Sequence, residues 1–169
     1  MGKLFVITGV MASGKSTVAE ALAKRLTRAV HLRGDIFRRM IVSGREEMTA
    51  DPSEEALRQL VMRYRLTAEA ARGYLDAGFH VVVQDNYLGR MLSDFLDKLH
   101  GLEPRVVILC PRVDVIATRE IGRGKVGYHG FSIEGLYAMF MAQTPRVGLW
   151  LDTSDMSVDE TVEAILADA

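Results

Sequence analysis

LFVITGVMASGKST, Leu4 to Thr17, joins a short apolar run to a turn framed by glycines and then to a segment of helix formers. Within it Gly9-Val10-Met11-Ala12-Ser13-Gly14-Lys15-Ser16 satisfies the spacing GxxxxGK[ST], with a strand before and a helix after, the context in which that spacing has a physical meaning. Gly9 and Gly14 let the backbone turn tightly, so that the N–H groups along Met11, Ala12, Ser13, Gly14 and Thr17 join the helix N-terminus in a concave anion site. In such a cradle Lys15 bridges the β and γ phosphates of a nucleotide, and the Ser16 hydroxyl is placed to ligate Mg²⁺. The loop alone leaves kinase, GTPase, motor and sensor open. The chain has no NKxD sequence for reading guanine and no room for a large motor core.

The surrounding sequence sets the frame. At 169 residues the chain fits one domain, and 49% apolar with 25% charged residues is the composition of an ordinary soluble globular protein. A formal net charge of -1 argues against polyanion binding, which calls for a basic excess. The single cysteine, Cys110, allows no intrachain disulfide and no multi-cysteine metal site, so a reducing cytoplasm is the simplest setting. No apolar run approaches the roughly 18 residues that cross a membrane.

Five apolar segments read as strands: Leu4 to Thr8, Ala29 to Arg33, His80 to Gln84, Arg105 to Cys110 and Val147 to Leu151. Near-continuous apolar runs fit strands buried on both faces of a parallel sheet. Helical patterns lie between them. In the longest, Asp51 caps, Pro52 takes the first helical position and Glu54 closes a capping box. Leu57, Leu60, Val61, Tyr64, Ala68, Ala71 and Leu75 form its apolar stripe, and Gly78 ends it. Ser157 and Glu160 make a second capping box before a last helix that runs close to Ala169. The alternation predicts a three-layer α/β fold with right-handed crossovers. RGKVGYHGFS, Arg123 to Ser132, has three glycines and no periodicity, which marks a loop suited to act as a lid.

A phosphate cradle at the carboxyl edge of such a sheet directs attention to acids at the same edge. Asp35 follows the second strand in HLRGDIFRRM, where a carboxylate can accept a hydroxyl proton or cap the helix expected over Ile36 to Val42. Asp85 ends the third strand in HVVVQDNYLG, a position suited to holding Mg²⁺ directly or through water, and Tyr87 beside it is a candidate contact for an acceptor. Arg119 and Arg123, one helical turn apart, point into the glycine-rich loop, as cations brought onto phosphates by a closing lid would. Lys125 is a third cation there. Arg58, Arg63 and Arg65 read as mostly solvent-facing, with one of them able to reach an acidic acceptor, His129 as incidental, Met139 and Met141 as core or pocket lining, and Trp150 as core.

In this order, GVMASGKS, GD after the second strand, VVVQDNYLG after the third, TREIGRGK and LDTSDMSVDE make the chain resemble the small P-loop kinases. That group includes shikimate, gluconate and adenylate kinases, and the chain looks most like the chloramphenicol phosphotransferase type. The resemblance implies one P-loop kinase domain over residues 1–169, a sheet ordered 2-3-1-4-5 and a lid at about residues 119–132. It implies transfer of the ATP γ-phosphoryl to a hydroxyl of a small molecule, an antibiotic or a metabolite. Asp35 matches the general base, Arg119 and Arg123 match lid arginines, and Asp152-Thr153-Ser154 matches the loop beside adenine. Arg38 looks like the arginine by which adenylate kinase grips its acceptor's phosphate, which keeps a nucleotide or sugar-acid acceptor open. No nucleic-acid or membrane partner is expected. Ser43 to Ser53 carries no signature of the acceptor, and a nucleotide-binding sensor without acceptor chemistry is the rival of another class.

Overall fold

The computed structural model describes residues 2–122 and 132–168. Its strands are β1 (Leu4–Thr8), β2 (Ala29–Arg33), β3 (His80–Gln84), β4 (Pro104–Leu109) and β5 (Leu149–Leu151). They form one all-parallel sheet in the order β2-β3-β1-β4-β5. The helices are α1 (Lys15–Arg25), α2 (Asp35–Arg39), α3 (Glu54–Asp76), α4 (Arg90–Lys98), α5 (Val113–Gly122), α6 (Ile133–Gln143) and α7 (Val158–Ala167). Both faces of the sheet are covered, and the period-two alternation of strand side chains divides the core accordingly. Leu4, Val6, Val81, Val83, Val106 and Ile108 face one way, against Tyr64 and Ala68 of α3, Leu92 and Phe95 of α4, Ile116 of α5 and Phe140 of α6. Phe5, Ile7, Val82, Val107 and Leu109 face the other, against Val18 and Leu22 of α1 and Val162 and Ile165 of α7. This is the expected three-layer fold, with the strand order that the kinase resemblance implies.

Local differences have local causes. β5 starts at Leu149 rather than Val147, because Gly148 adopts φ 67°, a left-handed turn that breaks the extended run, and a Cβ there would collide with the Val106 carbonyl. Helix α3 is capped by Ser53, whose hydroxyl accepts from the Ala56 N–H at 3.0 Å, so Glu54 is its first residue and Asp51 lies outside. Its far end closes as expected at Gly78: the Gly78 N–H reaches Leu75 O and the Phe79 N–H reaches Tyr74 O, the paired bonds of a Schellman motif. Tyr64, Ala68 and Ala71 are buried, whereas Leu57 and Val61 are exposed. The capping box at α7 is present, with Ser157 accepting from the Glu160 N–H and Glu160 accepting from that of Ser157. The Ser157 backbone bond holds the Glu160 carboxyl below the ordinary glutamate value. Trp150 packs against Phe140, with the Arg146 guanidinium 4.0 Å above its ring. No helix among the described residues is long and apolar enough to cross a membrane.

Candidate functional site at the carboxyl edge of the sheet

β1, β2 and β3 end side by side, and the loops that leave them enclose a cleft of about 720 Å³. The loop after β1 forms its floor. Ala12 at φ 63° and Gly14 at φ 94° are both left-handed, which turns successive N–H groups to one side just before α1 begins at Lys15. A left-handed alanine carries strain that the surrounding fold has to hold. Lys15 is 6% exposed and lies back across the loop, its Nζ donating to Val10 O at 2.6 Å. Met11, Ala12, Ser13, Gly14, Lys15, Ser16 and Thr17 all line the cleft.

The alternation of β3 decides what faces that floor. Val82 points toward α1 and Val83 toward α3, so Gln84 turns to the α1 side and Asp85 to the α3 side. Accordingly Ser16 Oγ donates to Gln84 Oε1 at 3.1 Å. The Asp85 carboxylate is taken from the other side. Arg63 of α3 grips it through Nε at 2.7 Å and through a second, shorter bond from Nη2, and the Asn86 N–H donates to Oδ1 at 2.8 Å. The two side chains are 13% and 3% exposed. Burial works against the Arg63 charge, and the adjacent carboxylate more than restores it. Space for Asp85 comes from Gly34, where a Cβ would run into its carboxylate. Asp85, expected to hold Mg²⁺ directly or through water, is here ion-paired with Arg63, and Arg63 lines the cleft instead of facing solvent.

Across the floor, Asp35 opens α2. It forms an ion pair with Arg39, one turn later on the same face, at 2.6 Å from Nη2, and lies 3.7 Å from Arg33 Nε. All three line the cleft. The cap position belongs to Gly34, and α2 ends at Arg39, short of the expected Val42. Arg38 departs from expectation: its guanidinium pairs with Glu47 in the loop before α3, and the arginine that α2 presents to the cleft is Arg39. Tyr87 also departs. It is fully buried, its ring stacks on Phe95 at 4.1 Å between centroids, and its backbone exchanges hydrogen bonds with the Thr8 hydroxyl. An aromatic stacked in the core contacts no acceptor, and its burial pushes its phenol well above the ordinary tyrosine value.

The opposite wall comes from α5 and the loop after β5. Arg119 lies over the floor, with Nη1 3.4 Å from Ser13 O and Nη2 3.4 Å from Thr153 O, tying the two loops together. Thr153 lines the cleft and is 3% exposed. Ser154 turns away: its hydroxyl accepts from the Arg112 N–H at 2.7 Å and donates to Asp152. That hydroxyl, together with the Ser154 N–H, holds the Asp152 carboxyl below the ordinary aspartate value. Arg123, Lys125, His129 and most of the expected lid lie outside the described residues.

For a magnesium ion this arrangement offers oxygen from the Ser16 hydroxyl and the Gln84 amide, with the Asp85 carboxylate already committed to Arg63. No group of three or more His, Cys, Asp or Glu among the described residues could hold a metal. Mg²⁺ commonly keeps several waters and takes its remaining ligands from substrate phosphates, so a site this sparse fits it when a nucleotide is present.

Solved structures share the fold across the whole chain. The APS kinase of Mycobacterium tuberculosis, in complex with AMPPNP and APS, matches with a TM-score of 0.73 and 18% identity, over 99% of this chain and 96% of that one. The tunicamycin resistance protein of Deinococcus radiodurans matches with a TM-score of 0.72 and 18% identity, over 99% and 95%. A gluconokinase from Sinorhizobium meliloti 1021 matches with a TM-score of 0.65 and 21% identity, over 98% and 90%. By sequence, no curated protein matches the chain. The family model described as an AAA domain matches residues 4–143, and the chain, with the fold shared by these proteins, belongs to that family.

Proposed function

We propose that the cleft is the active site of an ATP- and Mg²⁺-dependent O-phosphotransferase that moves the γ-phosphoryl of ATP to a hydroxyl of a small molecule. The observation that carries this reading is the placement of a carboxylate, Asp35, across one cavity from an intact phosphate-binding loop. The kinase names borne by structural neighbours agree with it. In this reading the N–H groups of residues 11–17 hold the β and γ phosphates and Lys15 lies between them. Arg119 adds positive charge where the transferring phosphoryl gains negative charge. The acceptor oxygen forms a bond to the γ phosphorus, the bond from that phosphorus to the bridging oxygen breaks, ADP leaves with the electron pair, and the acceptor's proton passes to Asp35. Mg²⁺, held by Ser16 with the phosphates, supplies charge neutralisation. Thr153 stands at the adenine end.

The reading is tested by following γ-labelled phosphate from ATP into a panel of antibiotics, sugars, sugar acids and nucleosides. Transfer to at least one is expected. Tight ATP binding with no transfer to any would instead favour the nucleotide sensor. Arg119→Ala should lower kcat more than it weakens ADP binding, because its contribution is largest in the transition state. Equal losses in both would recast it as a residue that only binds nucleotide.

Gln84, the amide directly before the acid expected to hold Mg²⁺, accepts from the Ser16 hydroxyl. If it orients Ser16 and a metal-bound water, Gln84→Ala should weaken Mg²⁺ affinity about 10-fold, the low end for partners of a metal ligand. Calorimetry of ADP binding with and without Mg²⁺ reads this apart from turnover. An unchanged magnesium dependence would reduce Gln84 to a structural partner of Ser16.

A further inference from the structure

At the amino edge of the sheet, the end opposite the phosphate loop, a second cavity of about 320 Å³ lies where β5 stops short of β4. Only Val107, Ile108 and Leu109 of β4 have β5 partners. The Cys110 N–H donates to Leu151 O at 2.8 Å, and backbone groups alternate sides along a strand, so the even-numbered residues of β4 turn theirs toward β5. Continued by two residues, the register would set Val147 opposite Arg105, its N–H on Pro104 O and its C=O on the Val106 N–H. The left-handed turn at Gly148, φ 67°, prevents this, and the Val147 N–H folds back to Pro145 O at 2.9 Å. Pro104 O and the Val106 N–H are left without a backbone partner among the described residues. Both residues line the cavity, and Val106 is 8% exposed. Backbone groups this close to the core rarely go unpaired.

One acceptor and one donor at this spacing match the N–H and C=O of a single residue. The charges around them are divided in the same sense. Arg105 and Asp168 line the cavity, and neither side chain has an ion-pair partner among the described residues. Asp168 closes the C-terminal end of α7, where the helix carbonyls favour a cation. Buried Phe5 and Ile165 supply apolar wall. A residue opposite Arg105 shares its face of the sheet, the face packed on α7, so a side chain carried there meets Ile165. We propose that this cavity binds a free α-amino acid with an apolar side chain. The ammonium donates to Pro104 O and faces Asp168, and the carboxylate accepts from the Val106 N–H and faces Arg105. An apolar wall between one cation and one anion is complementary to a zwitterion, whereas an amine or an acid alone leaves one charge unanswered. The site shares no lining residue with the nucleotide cleft.

The test titrates L-leucine and L-valine calorimetrically into the whole chain, with and without ADP. At least one is expected to bind with a Kd of about 1 mM or tighter, a range open to a ligand of so few atoms. Isopentylamine, which lacks the carboxylate, and isocaproate, which lacks the ammonium, should bind at least about 10-fold more weakly than leucine, the loss of one charge-assisted hydrogen bond. Asp168→Asn and Arg105→Gln should each weaken leucine binding by about 10-fold on the same ground. Both should leave the melting temperature of the ligand-free protein nearly unchanged, because neither charge is paired there. No heat of binding and no thermal shift at about 10 mM of either amino acid would overturn the proposal. Equal binding of the two stripped analogues, or full binding retained in either variant, would do the same. N-acetyl-leucine amide keeps the N–H and C=O but neither charge. If it binds as tightly as leucine, the occupant is an added peptide strand and the amino-acid site is refuted. Competition with ADP would put the ligand in the nucleotide cleft and equally sink the assignment.

Discussion

Lys15→Met is expected to reduce phosphoryl transfer by about 10³-fold, the upper range for removing one preorganised charge from the reacting centre. The lysine is the first residue of α1, almost wholly buried, and its ammonium lies against Val10 O on the floor of the cleft. A phosphate entering the cradle would draw that ammonium onto its own oxygens, and the attraction grows as charge gathers on the transferring group. Methionine keeps the length and the apolar stem, so α1 should remain docked on β1 and β3. The loss of the Val10 hydrogen bond costs about 1 kcal/mol of stability. Single-turnover ADP formation beside calorimetric ADP binding separates the two roles. A fall confined to turnover fits a charge that acts in the transition state. An equal fall in ADP affinity would make Lys15 a ground-state binder, and the reading of the loop as catalytic would have to be given up.

The sheet was legible because its strands are buried on both faces, which leaves near-continuous apolar runs that no surface helix shows. Where a boundary differs from the expectation, the cause is local: one side-chain hydrogen bond at the start of α3 and one left-handed glycine before β5. Asp51 and Ser53 both suit a helix cap, and only the Ala56 N–H, reached by Ser53, distinguishes them. Gly148 carries the signal of the turn before β5 by its type alone, since a glycine before Leu-Trp-Leu offers a turn that a strand does not need.

The phosphate-loop side of the cleft was legible for the same reason that motifs work: the loop after β1 is contiguous, so its geometry is local. The opposite side of the cleft is assembled from distant segments. Arg63 stands on a helix rich in charge, where an exposed face is the default reading, and only the docking of α3 against the end of β3 turns it inward. One signal was present. Arg63 directly precedes the buried Tyr64 and flanks the apolar stripe, so it sits at the border of the helix's inner face. Gln84 and Asp85 carried a clearer one, because counting alternate residues from Val82 and Val83 assigns the amide to α1 and the acid to α3. The type of residue suggested the acid for magnesium, and the parity of the strand assigns it to α3 instead. The resemblance pointed to Arg38 on α2, but the helix's periodicity places Arg39, one turn from Asp35, on the cleft.

Asp35→Asn is expected to lower kcat by at least about 10²-fold with ATP affinity little changed, the usual size of a general-base contribution. Asparagine keeps the shape and a hydrogen-bonding oxygen at the start of α2 but has no basic site for the acceptor proton, so loss of folding is not the expected outcome. A second explanation needs separating, because Asp35 also holds Arg39 at 2.6 Å. If the carboxylate served only to position that guanidinium, Arg39→Ala would reproduce the whole loss. If it takes the proton, Arg39→Ala should cost far less, since removing a partner that is 63% exposed frees the carboxylate for the acceptor. The comparison is made on one acceptor with kcat and KM measured separately. Matching kcat losses in the two variants would transfer the role from the base to the arginine. A deep loss in Asp35→Asn alone leaves a carboxylate facing the acceptor hydroxyl as the group on which the chemistry depends.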